Sequence, residues 1–216
     1  MRYYFKEHGI TSNIFNMEMF DFLSSKIEKI EKNESSTYPE IRNKIVYAGG
    51  IGDPYRHFFY QDFPHKFSLD FYGPIYPKTE HGLLSNSTYH GVFTNEELTF
   101  ILEGDYGLIW NDSALLPHTK FDEFWRIGTS SKLPLYITSG LPIICKKGTG
   151  DQKIIEKYNI GFAVLSLQEI DDVLSETSEE QYQIYKKNVA ALMEKTKKGY
   201  FLKRAVDEIL SVFMTK

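Results

Sequence analysis

An alternation of β-rich and helix-forming segments runs through most of this 216-residue chain. The first β-rich run, Lys44 to Ala48, ends in the glycine turn Gly49-Gly50-Ile51-Gly52, and Pro54 then opens a predicted helix. Five similar runs follow it, at Phe67 to Tyr72, Thr88 to Gly91, Tyr106 to Trp110, Pro142 to Cys145 and Phe162 to Leu165. Strands that alternate with helices are joined by right-handed crossovers into a mostly parallel sheet, with helices on both faces. The pattern therefore predicts an α/β fold.

Helix signals occupy the segments between these runs. Asn95-Glu96-Glu97-Leu98 is typical of a capped helix start, and Ser131 is predicted to cap a helix that runs to Gly140. Gln152 to Tyr158 forms another helix, closed by Asn159-Ile160-Gly161. From Ser178 onward the pattern is wholly helical, and one face carries an apolar stripe of Phe201, Leu202, Ala205, Val206, Ile209, Leu210 and Phe213. Such a stripe packs on its own domain or, in this architecture, reaches a neighbouring one.

A change of composition near the beginning of the chain predicts a linker. The segment Phe5 to Leu23 is mixed and apolar, whereas Lys26 to Asn43 is polar and contains Glu34-Ser35-Ser36-Thr37. We therefore divide the chain into three parts. Residues 1–43 precede the main domain, residues 44–177 form that domain, and residues 178–216 form C-terminal helices that pack on it.

Composition excludes several classes of protein. Apolar residues make up 42% of the chain and aromatic residues 15%, which is too much apolar material for a disordered protein. No apolar run approaches the roughly 18 residues of a membrane span, and the residues after Met1 lack the apolar region of a secretory signal. The single Cys145 agrees with a reducing compartment. We expect a soluble, cytoplasmic protein.

The charge distribution argues against a nucleic-acid-binding protein. The formal net charge is -4, whereas affinity for a phosphate backbone normally requires a clustered basic surface. Basic residues do gather near the C-terminus, at Lys186, Lys187, Lys195, Lys197, Lys198, Lys203 and Arg204. A solvated helix face is one interpretation of this cluster, and contact with the anionic inner face of a membrane is the other.

Ligands of open parallel sheets bind at the carboxyl ends of the strands, so the residues directly after each predicted strand are the first candidates for a site. Those turns are rich in glycine and in polar aromatic residues: Gly49-Gly50-Ile51-Gly52-Asp53, Tyr72-Gly73-Pro74, Tyr89-His90-Gly91 and Trp110-Asn111-Asp112. Glycine lets the backbone approach a phosphate, although glycine also ends strands in most α/β proteins. The first turn lacks the Gly-x-Gly-x-x-Gly spacing of dinucleotide-binding proteins, which argues against a dehydrogenase.

The segment Gly128-Thr129-Ser130-Ser131-Lys132 carries a more specific signal. It places hydroxyl groups and a lysine at a predicted helix start, where the helix dipole and the ammonium both favour a diphosphate. A capped helix with an exposed Lys132 is the alternative interpretation. The helix ends in Gly140-Leu141-Pro142, and the chain then enters a buried strand.

No metal-binding or common hydrolytic motif accompanies this segment. The six histidines show no paired spacing with carboxylates that resembles a zinc site, and the chain has no Asp-x-Asp motif. A Gly-x-Ser-x-Gly elbow and a P-loop are also absent from the sequence. We therefore expect metal-independent chemistry, in which Lys132, Arg56 and backbone amides neutralise a leaving diphosphate.

A family resemblance rests on a series of short motifs. Tyr89-His90-Gly91-Val92-Phe93, Glu96-Glu97-Leu98, Leu102-Glu103-Gly104 and Tyr106-Gly107-Leu108-Ile109-Trp110-Asn111 resemble segments of bacterial β-1,6-galactofuranosyltransferases and of the related glucosyltransferases that modify serine-rich adhesins. The chain also keeps Lys132, Tyr136, Gly140, Leu141, Pro142 and Ile144 of the family's later motif. Before the lysine, the family's Asn, Pro and His are replaced by Gly128 to Ser131, so the resemblance does not fix the donor sugar.

The resemblance implies the fold and the site. These enzymes have the GT-B architecture of two Rossmann-like domains facing a cleft, and the similarity spans Ile45 to Leu174, within the donor-binding domain. By resemblance, the diphosphate of a UDP-sugar lies against Lys132 and the Ser130-Ser131 helix start, above Gly49 and Gly50. Three further sets of candidates remain. Tyr89 and Trp110 either flank the base or sugar or pack at strand ends, and Tyr136 belongs to the shared motif. Gly148-Thr149-Gly150 either lies near the sugar or forms an ordinary turn.

Family members also carry an acceptor-binding domain before the linker, of which residues 1–43 retain only a remnant and the linker itself. The acceptor, a glycan or a lipid-linked molecule, and the base are expected from that domain. We therefore expect this polypeptide to bind a UDP-sugar and to turn it over poorly or not at all. Two alternatives are a non-catalytic subunit that pairs with another glycosyltransferase chain and a nucleotide-sugar epimerase holding a tight dinucleotide. Self-association is left open.

Overall fold

The computed structural model describes residues 9, 15–23, 43–51, 59, 63–75, 84–111 and 120–214. Six parallel strands form one sheet in the order β3-β2-β1-β4-β5-β6. They are β1 Lys44–Ala48, β2 Ser68–Tyr72, β3 Ser87–Gly91, β4 Tyr106–Ile109, β5 Ile143–Lys146 and β6 Gly161–Val164. Every predicted strand is confirmed to within one residue at each end. The α/β fold with a Rossmann-like sheet is therefore confirmed.

Seven α-helices lie among the described residues. They are α1 Asn95–Ile101, α2 Lys120–Ile127, α3 Lys132–Thr138, α4 Gly150–Tyr158, α5 Ile170–Glu176, α6 Glu179–Thr196 and α7 Tyr200–Met214. The predicted start of α1 is shifted by one residue, because the cap is Thr94, whose hydroxyl accepts from Glu97 N while the Glu97 carboxylate accepts from Thr94 N. Asn159 closes α4 in the left-handed conformation, as the sequence predicts.

The core lies on both faces of the sheet. Successive β1 side chains alternate between the two faces, so Ile45 and Tyr47 join one cluster while Val46 and Ala48 join the other. The first cluster is rich in aromatic side chains, among them Phe59 and Phe71, which pack edge-on around Tyr47. The second cluster combines side chains of the strands with apolar side chains of α1, α3, α4, α6 and the start of α7. Both faces of the sheet are therefore covered by core side chains, and the loops lie at the ends of the strands.

The apolar stripe of α7 is only partly buried. Phe201 and Ala205 pack into the core, whereas Leu202, Val206, Leu210 and Phe213 are exposed, Phe213 to 64% of its surface. Within this stripe, the buried side chains are therefore confined to the first turns of α7. The rest of the stripe faces outward.

Residues 15–23 lie against the outer helices. The buried Met19 joins the core, and the Asp21 carboxylate accepts from Phe201 N and Leu202 N at the start of α7. Glu18 accepts hydrogen bonds from Lys157, Tyr158 and Arg204. Burial raises the pKa of Glu18, but these hydrogen bonds outweigh it and bring the pKa below its ordinary value. This segment is therefore attached to the domain by apolar side chains, including Met17 and Phe22 beside Met19, and by two carboxylates.

Candidate functional site

The carboxyl ends of the strands form a rim in which glycine follows three neighbouring strands. Gly49, Gly73 and Gly91 end β1, β2 and β3, and they connect by backbone hydrogen bonds from Gly49 N to Tyr72 O and from Gly73 N to Gly91 O. A Cβ on Gly73 would overlap the carbonyl of Gly49, so the two turns pack backbone to backbone. The strand order reverses between β1 and β4, and such a switch point is where open α/β sheets bind ligands.

Lys132 reaches this rim from the start of α3. A Cβ placed on Gly49 would lie 2.7 Å from Lys132 Cε and 3.0 Å from Nζ, so the side chain lies directly over the glycine. The Nζ atom is 5.1 Å from the centroid of the Tyr47 ring, which attracts the cation through its π face. Lys132 itself is partly exposed. The ammonium therefore stands at the carboxyl end of β1, at the switch point and not at the opposite edge.

The serines before Lys132 differ from the predicted helix cap. Ser131 is exposed and makes no capping hydrogen bond, and α3 has only seven residues. The neighbouring Ser130 is buried instead, and its hydroxyl accepts from Lys132 N at 3.2 Å. Ser130 N donates to the Asp151 carboxylate at 2.8 Å. Ser130 therefore connects this loop to α4, while Ser131 faces the solvent beside Lys132.

Asp151 is the buried acidic group of this region. It lies in the first turn of α4, and the side chain is fully buried. Burial raises the pKa of Asp151 to about 6, while the hydrogen bond from Ser130 and the charge of Lys132 lower it. Its Oδ2 atom has no hydrogen-bond partner among the residues that the structure describes. Asp151 was not among the candidates from the sequence.

Tyr136 occupies a structural position. Its hydroxyl accepts from Ala48 N at 2.9 Å and donates to Leu108 O at 3.0 Å, and no part of the side chain is exposed. The register of β1 and β4 ends at Val46 and Gly107, so the hydroxyl stands between two backbone groups that would form the next ladder hydrogen bond. From the sequence, Tyr136 was proposed as a nucleotide contact. In the structure its hydroxyl lies between β1 and β4, where the strands separate and the buried Ala48 N and Leu108 O have no backbone partner in each other.

The two aromatic candidates lie apart. Trp110 is 5% exposed at the end of β4, where Lys146 Nζ lies 5.6 Å from its ring centroid. Tyr89 is 42% exposed on β3, at the edge of the sheet. Three strand spacings of about 4.8 Å separate β3 from β4, so the backbones that carry the two rings lie about 14 Å apart. The structure brings Lys132, Gly49 and Trp110 toward the switch point and leaves Tyr89 at the edge.

The histidine beside Tyr89 belongs to a polar cluster on the same edge. His90 Nε2 lies 2.9 Å from Asp70 Oδ2, and its ring stacks on Tyr72 with centroids 4.5 Å apart. Lys44 Nζ lies 3.2 Å from the same carboxylate oxygen. Within the Tyr-His-Gly motif, the side chain of His90 therefore connects β3 to β2, in addition to the backbone bond that Gly91 accepts.

The remaining candidates divide between the rim and the part of the chain that is not described. Gly50 follows Gly49 in the first turn and is partly exposed. Gly150 packs so closely on the carbonyl of Gly128 that a Cβ would overlap it, which joins the start of α4 to the loop before α3. Arg56 lies outside the described residues. Within those residues no group of three or more His, Cys, Asp or Glu side chains is arranged to hold a metal ion.

Comparison of the sequence with known protein families identifies the family of this domain. Residues 45–209 match the model of the family described as Glucosyltransferase 3-like, C-terminal domain. That match covers more than half of the chain. The chain belongs to this family. The resemblance drawn from its motifs is therefore confirmed, and the switch-point rim with Lys132 is the rim of a Glucosyltransferase 3-like C-terminal domain.

Individual relatives are longer than this chain. Glucosyltransferase 3 of Streptococcus gordonii is 27% identical over 184 residues, which are 80% of this chain and 51% of that protein. The β-1,6-galactofuranosyltransferase WbbI of Escherichia coli (strain K12) is 23% identical over 222 residues, which span 100% of this chain and 62% of that protein. A solved structure of a GtfA/B complex is 14% identical with a TM-score of 0.51, over 83% of this chain and 38% of that one. That last similarity shows the fold alone.

The C-terminal basic cluster of this Glucosyltransferase 3-like domain is largely paired with carboxylates. Glu194 lies 3.4 Å from Lys197 and 3.8 Å from Lys198, and Asp207 lies 2.7 Å from Lys203. Arg204 contacts Glu18. These pairs favour a solvated helix face over a membrane-binding patch. None of the described helices is long and apolar enough to cross a membrane.

Proposed function

We propose that this chain is the donor-binding half of a hexosyltransferase that uses a UDP-sugar to build a polysaccharide or a glycoprotein glycan. Membership of the Glucosyltransferase 3-like family and the names of two relatives, a glucosyltransferase and a galactofuranosyltransferase, support sugar transfer. The transferred sugar in the proposal is glucosyl or galactofuranosyl. The chain spans 51% and 62% of those relatives, so the acceptor is assigned to the other half of the enzyme.

The position of the Lys132 ammonium carries the proposal. It lies over Gly49 at the switch point, beside backbone that has no side chain to keep a ligand away. An ammonium at that place forms charge-assisted hydrogen bonds with phosphate oxygens, which are about twice as strong as neutral ones. The π face of Tyr47 holds the cation without neutralising it. A diphosphate carries the negative charge that this arrangement favours.

The same cation has a role in the chemistry of sugar transfer. When the bond between the sugar and the β-phosphate breaks, negative charge develops on the leaving oxygen, and a fixed cation nearby lowers the barrier. In the proposal Lys132 provides that charge, so the reaction proceeds without a metal ion. The acceptor and the base that activates it come from the other domain. The chain alone is expected to bind the donor with little or no transfer.

Calorimetric titration with UDP tests the proposal. We expect saturable binding to the 216-residue chain and a loss of about 10- to 100-fold in affinity in Lys132→Ala, since a charged hydrogen bond contributes about 1.5–3 kcal/mol. Lys187→Ala is the matched control, because it removes an exposed lysine near the opposite end of the strands from Lys132. The neighbouring Lys186 marks this position, since its ammonium donates to Gly140 O just before the amino end of β5. UDP at millimolar concentration that produces neither heat nor a shift in melting temperature would refute the function.

A second candidate, a non-catalytic subunit that pairs with another glycosyltransferase chain, is favoured by the outward apolar face of α7. Leu202, Val206, Leu210 and Phe213 are exposed there in a continuous stripe, which is typical of a contact surface. Both candidates include binding of the UDP-sugar. They differ in the gene: an upstream reading frame for an acceptor domain favours the fragment, and a start at Met1 beside a separate partner gene favours the subunit.

A further inference from the structure

The Asp151 carboxylate is buried in a way that its immediate contacts do not explain. One oxygen, Oδ1, accepts from Ser130 N at 2.8 Å, but Oδ2 has no partner among the described residues. A buried charged group normally needs full hydrogen bonding, because its transfer from water is costly. Ser130 N would be equally well satisfied by a neutral acceptor such as an amide oxygen. The acid at this position therefore calls for a role beyond holding Ser130.

Asp151 is mechanically joined to Lys132. Ser130 connects them, because its N–H donates to Asp151 while its hydroxyl accepts from Lys132 N. The residue before Asp151, Gly150, packs against the carbonyl of Gly128 with no room for a side chain. The loop before α3 and the first turn of α4 are therefore in direct contact, and Asp151 helps to fix the helix start that carries Lys132.

The two groups are also joined electrostatically. The charge of Lys132 lowers the pKa of Asp151 against the effect of burial, so the ionised carboxylate and the ammonium stabilise each other. Other titratable side chains on the elements packed here include the buried Cys145 thiol of β5, whose pKa burial raises, Lys153 and Glu156 on α4 itself, and Arg126 in the last turn of the adjacent α2.

We propose that Asp151 is a positioning residue that holds Lys132 at the switch point and takes up a proton from solvent when the diphosphate of a nucleotide sugar binds there. The inference rests on the proposed function. A bound dianion engages Lys132 and adds negative potential, so it favours the neutral form of the carboxylic acid, and the proton is placed on the unpartnered Oδ2. No other bond forms or breaks. By linkage, the affinity for the nucleotide sugar falls as the pH rises through about 6.

UDP-glucose is the suitable probe, because its diphosphate is a diester whose charge is constant between pH 5 and 8. The full chain is titrated at pH 6.5 in two buffers of different ionisation enthalpy, which gives the number of protons taken up on binding. We expect an uptake of about 0.3–0.6 proton in the wild type and an affinity that falls about three- to tenfold from pH 5.0 to 7.5. In Asp151→Asn, we expect uptake near zero and an affinity that changes less than about twofold over that range.

Comparison of Asp151→Asn with Asp151→Ala separates the positioning role of Asp151 from the effect of its charge. Asp151→Asn keeps an oxygen for Ser130 N, so its affinity at pH 5 should match the wild type, whereas Asp151→Ala should bind about five- to twentyfold more weakly at every pH. The matched control is Asp171→Asn, which alters a carboxylate that accepts from Lys66 N and Phe67 N before β2, at the amino edge of the sheet. Its proton uptake and pH profile should be those of the wild type.

The outcomes distinguish this inference from the proposed function. Absence of UDP-glucose binding at every pH overturns both. Binding without proton uptake in the wild type overturns the coupling between binding and protonation but leaves the proposed function standing. This measurement uses only the wild-type protein, so it does not depend on whether a variant folds. Equal uptake in the wild type and Asp151→Asn shows that another group takes the proton and also overturns it. Equal affinities of Asp151→Ala and the wild type at pH 5 overturn the positioning role.

Discussion

Removal of the Tyr136 hydroxyl tests how the two halves of the sheet are joined. In Tyr136→Phe, Ala48 N and Leu108 O both lose their partner in a site that water does not reach. Leaving a buried backbone group unsatisfied costs about 1–3 kcal/mol, so two such groups, partly relieved by relaxation of the strands, lower the free energy of unfolding by about 2–4 kcal/mol. For a chain of this size the melting temperature falls by about 5–12 °C.

Urea unfolding followed by circular dichroism measures this difference. The control is Tyr200→Phe, because Tyr200 is 41% exposed, and a change at the surface of this kind alters stability by less than about 0.5 kcal/mol. If Tyr136→Phe unfolds at the same urea concentration as the wild type, the hydroxyl does not bridge the strands and the reasoning fails. A normal stability together with a large loss of UDP affinity would instead support the nucleotide contact that the sequence suggested.

Two other substitutions test the packing around the site and the attachment of residues 15–23. Gly107→Ala places a Cβ inside the Tyr136 ring, so we expect a loss of about 1–3 kcal/mol in thermal or urea unfolding, and wild-type stability would show that the ring has another position. Glu18→Gln should cost about 1–2 kcal/mol at pH 7, because its charged hydrogen bonds to partly exposed partners are weakened. The folded pKa of Glu18 lies below the ordinary 4.5, so its contribution is present above pH 4.5 and lost as the pH falls through the folded value. Urea midpoints of the two proteins should therefore converge in acid, and a constant difference down to low pH would contradict the ion-pair explanation.

The sequence was sufficient for the fold because strands and turns leave local signals. Apolar runs followed by glycine, as at Lys44–Ala48 and its turn, marked the strands to within one residue. Helix starts were less certain, since neighbouring polar residues compete for one cap. Thr94 and not Asn95 caps α1, and Ser131 caps nothing although it precedes α3. A difference of one residue in where the helix begins decides which residue is the cap, and the packing of the helix sets that beginning.

The candidate site was predicted in part, because chemistry is visible in a sequence and burial is not. The rule that ligands bind after parallel strands led to Gly49, and the hydroxyls and lysine at a predicted helix start led to Lys132; the structure places the two residues together. Tyr136 was selected from a shared motif, yet only the divergence of β1 and β4 shows why it is needed. Asp151 was missed because an acidic residue in the first turn of a helix is usual at the surface. Its burial under the loop of Lys132 depends on contacts between segments that are distant in sequence.

The divergence of β1 and β4 links the stability of this domain to the geometry of its site. The Tyr136 hydroxyl holds Ala48 at a fixed separation from β4, and the next residue is Gly49, over which Lys132 lies. Gly107 leaves the space that the Tyr136 ring fills, so one glycine in β4 and one tyrosine in α3 together set where β1 ends. Lys132 begins the same helix, four residues before Tyr136. A substitution that moves the ring is therefore expected to move the glycine turn and the ammonium relative to each other, so the proposed binding of a diphosphate should weaken together with the stability of the fold.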